Sequence, residues 1–249
     1  MEGGFPAARG SEPPAGALFG RGWNSPRRRD PDGESLRPLG GRAAACGPAF
    51  DAIVPAGGYA WWYIDAISGD GTKAVSVIGF IGSVFSPWFH WSGRGDPEDH
   101  CCINVVTSGL NGRFAMTDRG RSALSRSRNS FRVGPSRIDW TGTSLRITVN
   151  EWGALPMVSP LRGEIVLTPV ALPDAVYDLT PDGAHRWRPI APMAHVSVDL
   201  TQGHKWEGHG YFDSNTGIRP RTPNIPGIEH PKVLSYLDVL RDHKPVGEK

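Results

Sequence analysis

Glycine and proline recur along the whole chain and limit its fold more than any other feature. The sequence has 32 glycines and 23 prolines in 249 residues. Proline interrupts helices and central strands, and both residue types mark turns, so a helical bundle is disfavoured and short strands are favoured. Hydrophobic residues make up 39% and charged residues 21%, which is a globular composition. We therefore expect a folded, all-β domain.

Residue composition divides the chain into three segments. Residues 1–50 are rich in Gly, Pro, Ala and Arg and are expected to form a disordered or loosely attached arm. Residues 51–217 carry strand patterns separated by turn signals. Residues 218–249 are expected to be a Pro-rich tail with a short helix.

The middle segment predicts about eight to ten short strands. The dipeptide Asn111-Gly112 predicts a type I′ turn between two of them, and only residues 118–127 suggest a brief helix. The expected strands are residues 58–68, 73–84, 102–108, 113–117, 131–134, 136–140, 144–150, 163–169, 186–189 and 195–200. Strands at this spacing favour an up-and-down antiparallel barrel, whose closure removes sheet edges and whose interior can enclose one apolar ligand.

Charge, cysteine and apolar patterns argue against several classes of function. A net charge of +2 is far from the basic surface of a nucleic-acid-binding protein. Three cysteines, with Cys101 and Cys102 adjacent, form neither a disulfide framework nor a metal-binding spacing, and they favour a reducing cytoplasm. No apolar run reaches the ~18–20 residues needed to cross a bilayer, and we expect no secretory signal.

Two short strings combine polar groups with aromatic rings. If each is a strand, His185 shares a face with Trp187 and Tyr211 shares a face with Asp213. Neighbouring strands would then bring a carboxyl, an imidazole and two rings together. The alternative is that residues 213–215, Asp-Ser-Asn, form a turn. The tryptophans clustered between residues 61 and 91 either fill the core or form flat walls for an apolar ligand.

Six longer strings are specific enough to indicate a family. They are GGYAWWYIDAIS from residue 57, VIGFIGSVFSPWFHW from 77, GDPEDHCCINV from 95, RFAMTDRGR from 113, HRWRPIAP from 185 and YFDSN from 211. Over roughly residues 53–217 they resemble the acyclic carotenoid 1,2-hydratases, also called hydroxyneurosporene synthases.

The resemblance implies tandem lipocalin-like barrels, the second of which we expect to be incomplete in a truncated chain or one with a divergent C-terminus. It implies a lyase that needs no cofactor and hydrates the terminal C=C bond of acyclic carotenoids, such as neurosporene or lycopene, to the 1-hydroxy product. In the matching strings it implies catalytic roles for His185, Trp187, Tyr211 and Asp213. We also expect Trp62 to contact the substrate.

In the implied reaction a neutral Asp213 protonates the alkene, the rings of Trp187 and Tyr211 stabilise the tertiary cation, and water captures it. His185 either orients Asp213 or takes a proton from the attacking water. Because carotenes dissolve in bilayers, we expect a cytoplasmic protein at the periphery of the inner, photosynthetic membrane of a bacterium. The alternatives are a lipocalin-like binder of apolar ligands and an inactive remnant of a hydratase.

Overall fold

The computed structural model describes residues 47–155 and 158–218, which form antiparallel strands with little helix. The predicted arm lies outside the described residues except for residues 47–50, and so does the predicted tail except for residue 218. A short helix, α1, spans Pro87–Trp91. The strands are β1 Tyr59–Ser68, β2 Ala74–Ile81, β3 Cys101–Ser108, β4 Arg113–Ala115, β5 Leu124–Ser127, β6 Ser130–Val133, β7 Ser136–Trp140, β8 Leu145–Trp152, β9 Pro160–Pro169, β10 Tyr177–Asp178, β11 His185–Leu200 and β12 His204–Gly217.

Two meanders are joined by the pairing of the first described strand with the last. The sheet order is β4-β3-β2-β1-β12-β11-β9-β8-β7-β6-β5, and β10 adds to β11. Strand β1 pairs with β12 along its whole length, from Tyr59 opposite Gly217 to Ser68 opposite Gly208. This pairing brings the strings that begin at residues 57, 185 and 211 onto three adjacent strands.

The inner face of the curled sheet is filled by aromatic and aliphatic side chains. The ring of Trp62 lies 5.0 Å from that of Phe50 and 5.2 Å from that of Phe131, measured between centroids. Phe131 belongs to β6, and a Cβ at Gly79 on β2 would lie only 2.9 Å from its ring. The two halves of the sheet therefore meet across a packed core. Each large side chain buried there contributes about 1.5–3 kcal/mol to stability.

The prediction of an all-β fold with one antiparallel, barrel-like sheet is confirmed. The alternation predicted in β1 is also observed, because Ala60, Trp62, Ile64 and Ala66 are all buried. The predicted closure is not observed in the described residues, where β4 and β5 end the sheet without pairing to each other.

Several local expectations differ from the structure. Residues 186–189 and 195–200 belong to one strand, β11, whose register shifts at residues 189–194 accommodate prolines that cannot donate ladder hydrogen bonds. Residues 213–215 continue β12, so the turn alternative is wrong. Residues 118–127 contain a single 3-10 turn and then β5, whereas the short helix α1 was not expected.

The turn between β3 and β4 is not type I′ around Asn111-Gly112. The amide of Gly112 donates to the carbonyl of Gly109 at 3.1 Å, so Asn111 is the third residue of the turn. Asn111 has a φ of 64°, but a type I′ turn also needs a positive φ at the second residue, Leu110, which does not have one.

Among the described residues, no helix is long and apolar enough to cross a membrane.

Candidate active site

Four of the five predicted site residues come together on the outer face of the sheet. Directly paired residues of neighbouring strands point to the same face. Trp187 on β11 pairs with Asn215 on β12, and Asp213 on β12 pairs with Tyr63 on β1. Phe212, between the outer-face residues of β12, belongs to the core on the other side. The strand register therefore directs the side chains of Trp187, Asp213 and Asn215 away from the core.

The carboxyl group of Asp213 is the centre of this site. The indole Nε1 of Trp187 donates a hydrogen bond to Asp213 Oδ2 at 2.8 Å, and the hydroxyl of Tyr211 donates to the same oxygen at 2.6 Å. The side-chain amide of Asn215 donates to Asp213 Oδ1 at 3.2 Å. Asp213 is only 7% exposed. Three donors thus surround a carboxyl group that water barely reaches.

Burial and hydrogen bonding act on the pKa of Asp213 in opposite directions. Burial raises the pKa, because it disfavours the charged form. The hydrogen bonds from Tyr211, Trp187 and Asn215 lower it, but the net pKa is raised above its ordinary value. Burial, followed by the hydrogen bond to Asp213, also raises the pKa of Tyr211. Burial therefore favours the uncharged form of Asp213, whereas the three donors favour its anion.

His185 is linked to Asp213 through one intermediate side chain. Its Nε2 lies 2.9 Å from Asn215 Oδ1, and its Nδ1 lies 2.9 Å from the hydroxyl oxygen of Tyr59. Tyr59 reaches this position because residue 217 is glycine, where a Cβ would lie 2.3 Å from the tyrosine ring. The structure thus brings His185 into the site without direct contact with the carboxyl group.

A row of aromatic rings leads from His185 across β1 and β2. Tyr59 stacks on Trp61 at 4.8 Å between centroids, and Trp61 contacts Phe80 edge-on at 6.0 Å. Phe80 in turn contacts Phe85 at 5.3 Å, where the row ends on an exposed ring. We call Tyr59, Trp61, Phe80 and Phe85 the aromatic row.

Trp62, the fifth predicted site residue, does not join the others. It is 1% exposed, and its Nε1 donates to the carbonyl of Pro48 at 2.9 Å within the core. Its cross-strand partner is Ser214, so it points to the face opposite Asp213. Its expected contact with substrate remains a prediction, whereas its neighbour Trp61 lies on the same face as the site.

Sequence reasoning did not group Asn215, Tyr59 and Trp61 with the four predicted residues, although it left open that Trp61 forms a wall for an apolar ligand. Asn215 stands two residues after Asp213, so period-2 alternation alone would have placed it on the same face. Tyr59 and Trp61 were expected on one face of β1, but the pairing of β1 with β12 has no local signal.

In the described part of the chain, no group of three or more His, Cys, Asp or Glu is arranged to hold a metal ion.

Comparison with known proteins relates the chain to one family and its relatives. The family model described as carotenoid hydratase CrtC matches residues 77–225. An acyclic carotenoid 1,2-hydratase from Rhodobacter capsulatus is 63% identical over 57% of this chain and 51% of its own length. One from Thiocapsa roseopersicina is 44% identical over 88% of this chain and 55% of its own length. The chain thus spans about half the length of these curated relatives.

Among solved structures, an AttH-type protein from Nitrosomonas europaea matches 76% of this chain and 60% of its own chain. The sequence identity is 15% and the TM-score is 0.44.

Proposed function

Because the chain belongs to the carotenoid hydratase family, we propose that it adds water across the terminal C=C bond of an acyclic carotenoid to form the 1-hydroxy product. The observation that carries this proposal is the environment of Asp213, a nearly buried carboxyl group held by three donors beside two aromatic rings. Carotenoids of the neurosporene or lycopene type are the proposed substrates, since they end in an unactivated, trisubstituted alkene.

Asp213 is the proposed proton donor. An unactivated alkene is a weak base, so its protonation requires an uncharged acid at a site that excludes water. Burial supports this role because it raises the pKa of Asp213 above its ordinary value. Its Oδ2 accepts two hydrogen bonds and Oδ1 accepts one, so we assign the transferable proton to Oδ1. When the proton leaves, the three donors stabilise the carboxylate that forms.

The two rings beside Asp213 stabilise the cation. Transfer of the proton to the less substituted alkene carbon leaves a tertiary cation on the other carbon. Trp187 and Tyr211 both hydrogen-bond to Asp213 Oδ2, so their rings are held beside the group that would protonate the alkene. A cation over an aromatic face gains about 2 kcal/mol when both are desolvated.

Water then completes the reaction and restores the acid. Its oxygen bonds to the tertiary carbon, and the proton that it loses returns to the Asp213 carboxylate. One water molecule is consumed for each alcohol formed. Both nitrogens of His185 already have partners, Tyr59 and Asn215. Of the two roles expected for His185, orientation of the acid is therefore better supported than removal of a proton from water.

Two rings of the aromatic row, the partly exposed Trp61 and the exposed Phe85, are accessible to a polyene chain, whereas Tyr59 and Phe80 are each only 2% exposed and pack beneath them. The two accessible rings offer apolar surface away from the reacting end of a long, flat hydrocarbon. The polar side chains around Asp213 lie at only one end of this row of rings. This arrangement suits a long, apolar substrate that reacts only at its terminus.

Expression in a host that makes neurosporene or lycopene, supplied with oxygen-18 water, tests the proposal. The wild-type chain should form a labelled 1-hydroxy carotenoid, and Asp213→Asn should reduce the rate by roughly 10²- to 10⁴-fold. Asp199→Asn is the matched control, because that carboxyl is exposed and pairs with Lys205 on the surface. The proposal fails if the chain forms no product while a full-length relative is active beside it.

A binder of apolar ligands is the second candidate, and the partly exposed aromatic row favours it. A binder would retain carotenoid in both the wild-type chain and Asp213→Asn and would form product in neither. Product analysis on the same samples separates the two functions.

Contact with a membrane surface is also part of the proposal, because the substrate dissolves in the bilayer. Trp88 and Trp91 on α1 are exposed, and they follow Phe85 at the end of the aromatic row. Tryptophan is favoured at the boundary between lipid and water. We call residues 82–92, the segment after β2 that contains α1, the tryptophan loop. We propose that the tryptophan loop contacts the membrane and receives the substrate from it.

A further inference from the structure

Asn215 joins the two titratable groups of the proposed site. Its side-chain oxygen lies 2.9 Å from His185 Nε2, and its side-chain nitrogen donates to Asp213 Oδ1 at 3.2 Å. Asn215 is itself 8% exposed. A buried amide with a partner at each end is held in one place, because turning away would leave two polar atoms unsatisfied.

The chemistry of the amide sets the direction of every hydrogen bond in the chain of contacts. An amide NH₂ only donates and an amide oxygen only accepts. With the NH₂ of Asn215 on Asp213, the amide oxygen faces His185, so His185 Nε2 carries the hydrogen. In the neutral ring Nδ1 is then the acceptor, and the hydroxyl of Tyr59 donates to it.

We propose that Asn215 is a positioning residue that holds His185 in the Nε2–H tautomer and couples it to the Oδ1 atom of Asp213. The consequence for catalysis rests on the proposed function, but the coupling does not. The N–H of Asn215 occupies one lone-pair position of Oδ1, which leaves the other for the transferable proton. Tyr59 supports the same tautomer from the opposite side of the ring.

Removing Asn215 should change both partners in defined directions. Without the acceptor, His185 Nε2 has no reason to carry the hydrogen, so the ring should populate the Nδ1–H form as well. Without the donor, the Asp213 carboxylate is less stable, so the acid should be weaker and stay protonated to higher pH. The titratable groups that face Asp213 are Tyr211 on its own strand, Tyr63 and Asp65 on β1 and, through Asn215, His185 on β11.

Nitrogen-15 NMR of histidine-labelled protein tests the tautomer without any turnover. The His185 signals, assigned by their loss in His185→Phe, should show Nε2–H in the wild-type chain and a mixture of tautomers in Asn215→Leu. Asn215→Asp has the same size and keeps an acceptor for Nε2, so it should retain Nε2–H. If the leucine variant does not fold, Asn215→Ala replaces it, because alanine also removes the acceptor and should give the same mixture of tautomers.

Kinetics test the coupling to the acid. In Asn215→Leu the carotenoid hydration rate should fall by roughly 10- to 100-fold, and the alkaline limb of the pH profile should move to higher pH. Asn104→Leu is the matched control, because Asn104 is a buried asparagine on β3 that donates to the Ala115 carbonyl. It should lower stability but change neither the His185 tautomer nor the pH profile.

The outcomes separate this inference from the proposed function. A His185 tautomer that is unchanged in Asn215→Leu overturns the coupling, whatever the activity. A changed tautomer in a chain that forms no hydroxylated carotenoid supports the coupling and rejects the function. Equal shifts in Asn215→Leu and Asn104→Leu would reduce Asn215 to a structural role and also overturn the inference.

Discussion

At the scale of the residue, Asp213 illustrates how one carboxyl group can be nearly buried and still accept hydrogen bonds from three donors. Burial alone favours the uncharged form of this group, and hydrogen-bond donors alone favour its anion. Tyr211, Trp187 and Asn215 each donate to it, yet its pKa remains raised. This balance fits the proposed role, in which Asp213 gives up a proton and recovers it in each cycle.

The raised pKa of Asp213 predicts a pH-dependent difference in stability. The folded state holds this proton more tightly than the unfolded state, so the stabilisation is complete below the ordinary pKa of 3.8 and is lost as pH rises through the folded pKa. Asn cannot lose such a proton. The free energy of unfolding of Asp213→Asn minus that of wild type should therefore be larger at about pH 7 than at about pH 3, which means that the variant gains stability relative to wild type as pH rises.

Urea unfolding at several pH values measures this difference, with Asp199→Asn as the control for an exposed carboxyl group. A difference between Asp213→Asn and wild type that stays constant over the whole range would mean that the pKa of Asp213 is not raised by folding.

At the scale of the element, β1 divides two roles between its two faces. Trp61 lies in the aromatic row, and the adjacent Trp62 lies in the core. The alternation of side chains along a strand produces this division, and the pairing with β12 decides which face meets Asp213. The packed face supports the strand, while the other face adjoins the proposed site.

Substitution of these two tryptophans should separate the two faces. Trp62→Phe removes buried volume and the hydrogen bond to Pro48, so it should lower the free energy of unfolding by roughly 1–3 kcal/mol. Trp61→Phe should change stability by less than about 1 kcal/mol but weaken carotenoid binding. Thermal unfolding and a carotenoid-binding titration on both variants measure the two effects, and a reversed pattern would place the substrate on the core face.

At the scale of the whole molecule, the fold brings a row of aromatic rings next to a polar cluster. Strands β11, β12, β1 and β2 form a continuous outer surface on which the Asp213 cluster adjoins the aromatic row. The tryptophan loop follows β2 and carries two exposed indoles. A substrate leaving a bilayer at this loop would meet the aromatic row before it reaches the acid.

The tryptophan loop should therefore govern binding to lipid vesicles. In Trp88→Ser/Trp91→Ser, partition onto phosphatidylcholine vesicles should fall at least about tenfold, because two large apolar side chains are lost from the contact. Trp152→Ser is the matched control, since Trp152 is 57% exposed, compared with 60% for Trp88, and lies at the end of β8. Vesicle flotation measures the partition, and equal losses in both variants would contradict the proposal.

Local patterns were sufficient to predict most strands and the separate members of the site. Alternation identified β1, and the period of two placed His185 with Trp187 and Tyr211 with Asp213. Such patterns arise because neighbouring side chains of a strand point to opposite faces, which is a property of the backbone itself. The composition was likewise enough to indicate an all-β fold.

The assembly of the site was decided only by tertiary structure. Asp-Ser-Asn at residues 213–215 is a sequence typical of turns, yet it lies in a strand because Asp213 and Asn215 find their partners on β11. Tyr59 enters through the pairing of β1 with β12, two segments that are far apart in the chain. Pairing between distant strands depends on the core that the whole sheet buries together, and no short stretch of sequence encodes it. For the same reason, alternation could separate Trp61 from Trp62 but could not say which of them would share a face with the acid.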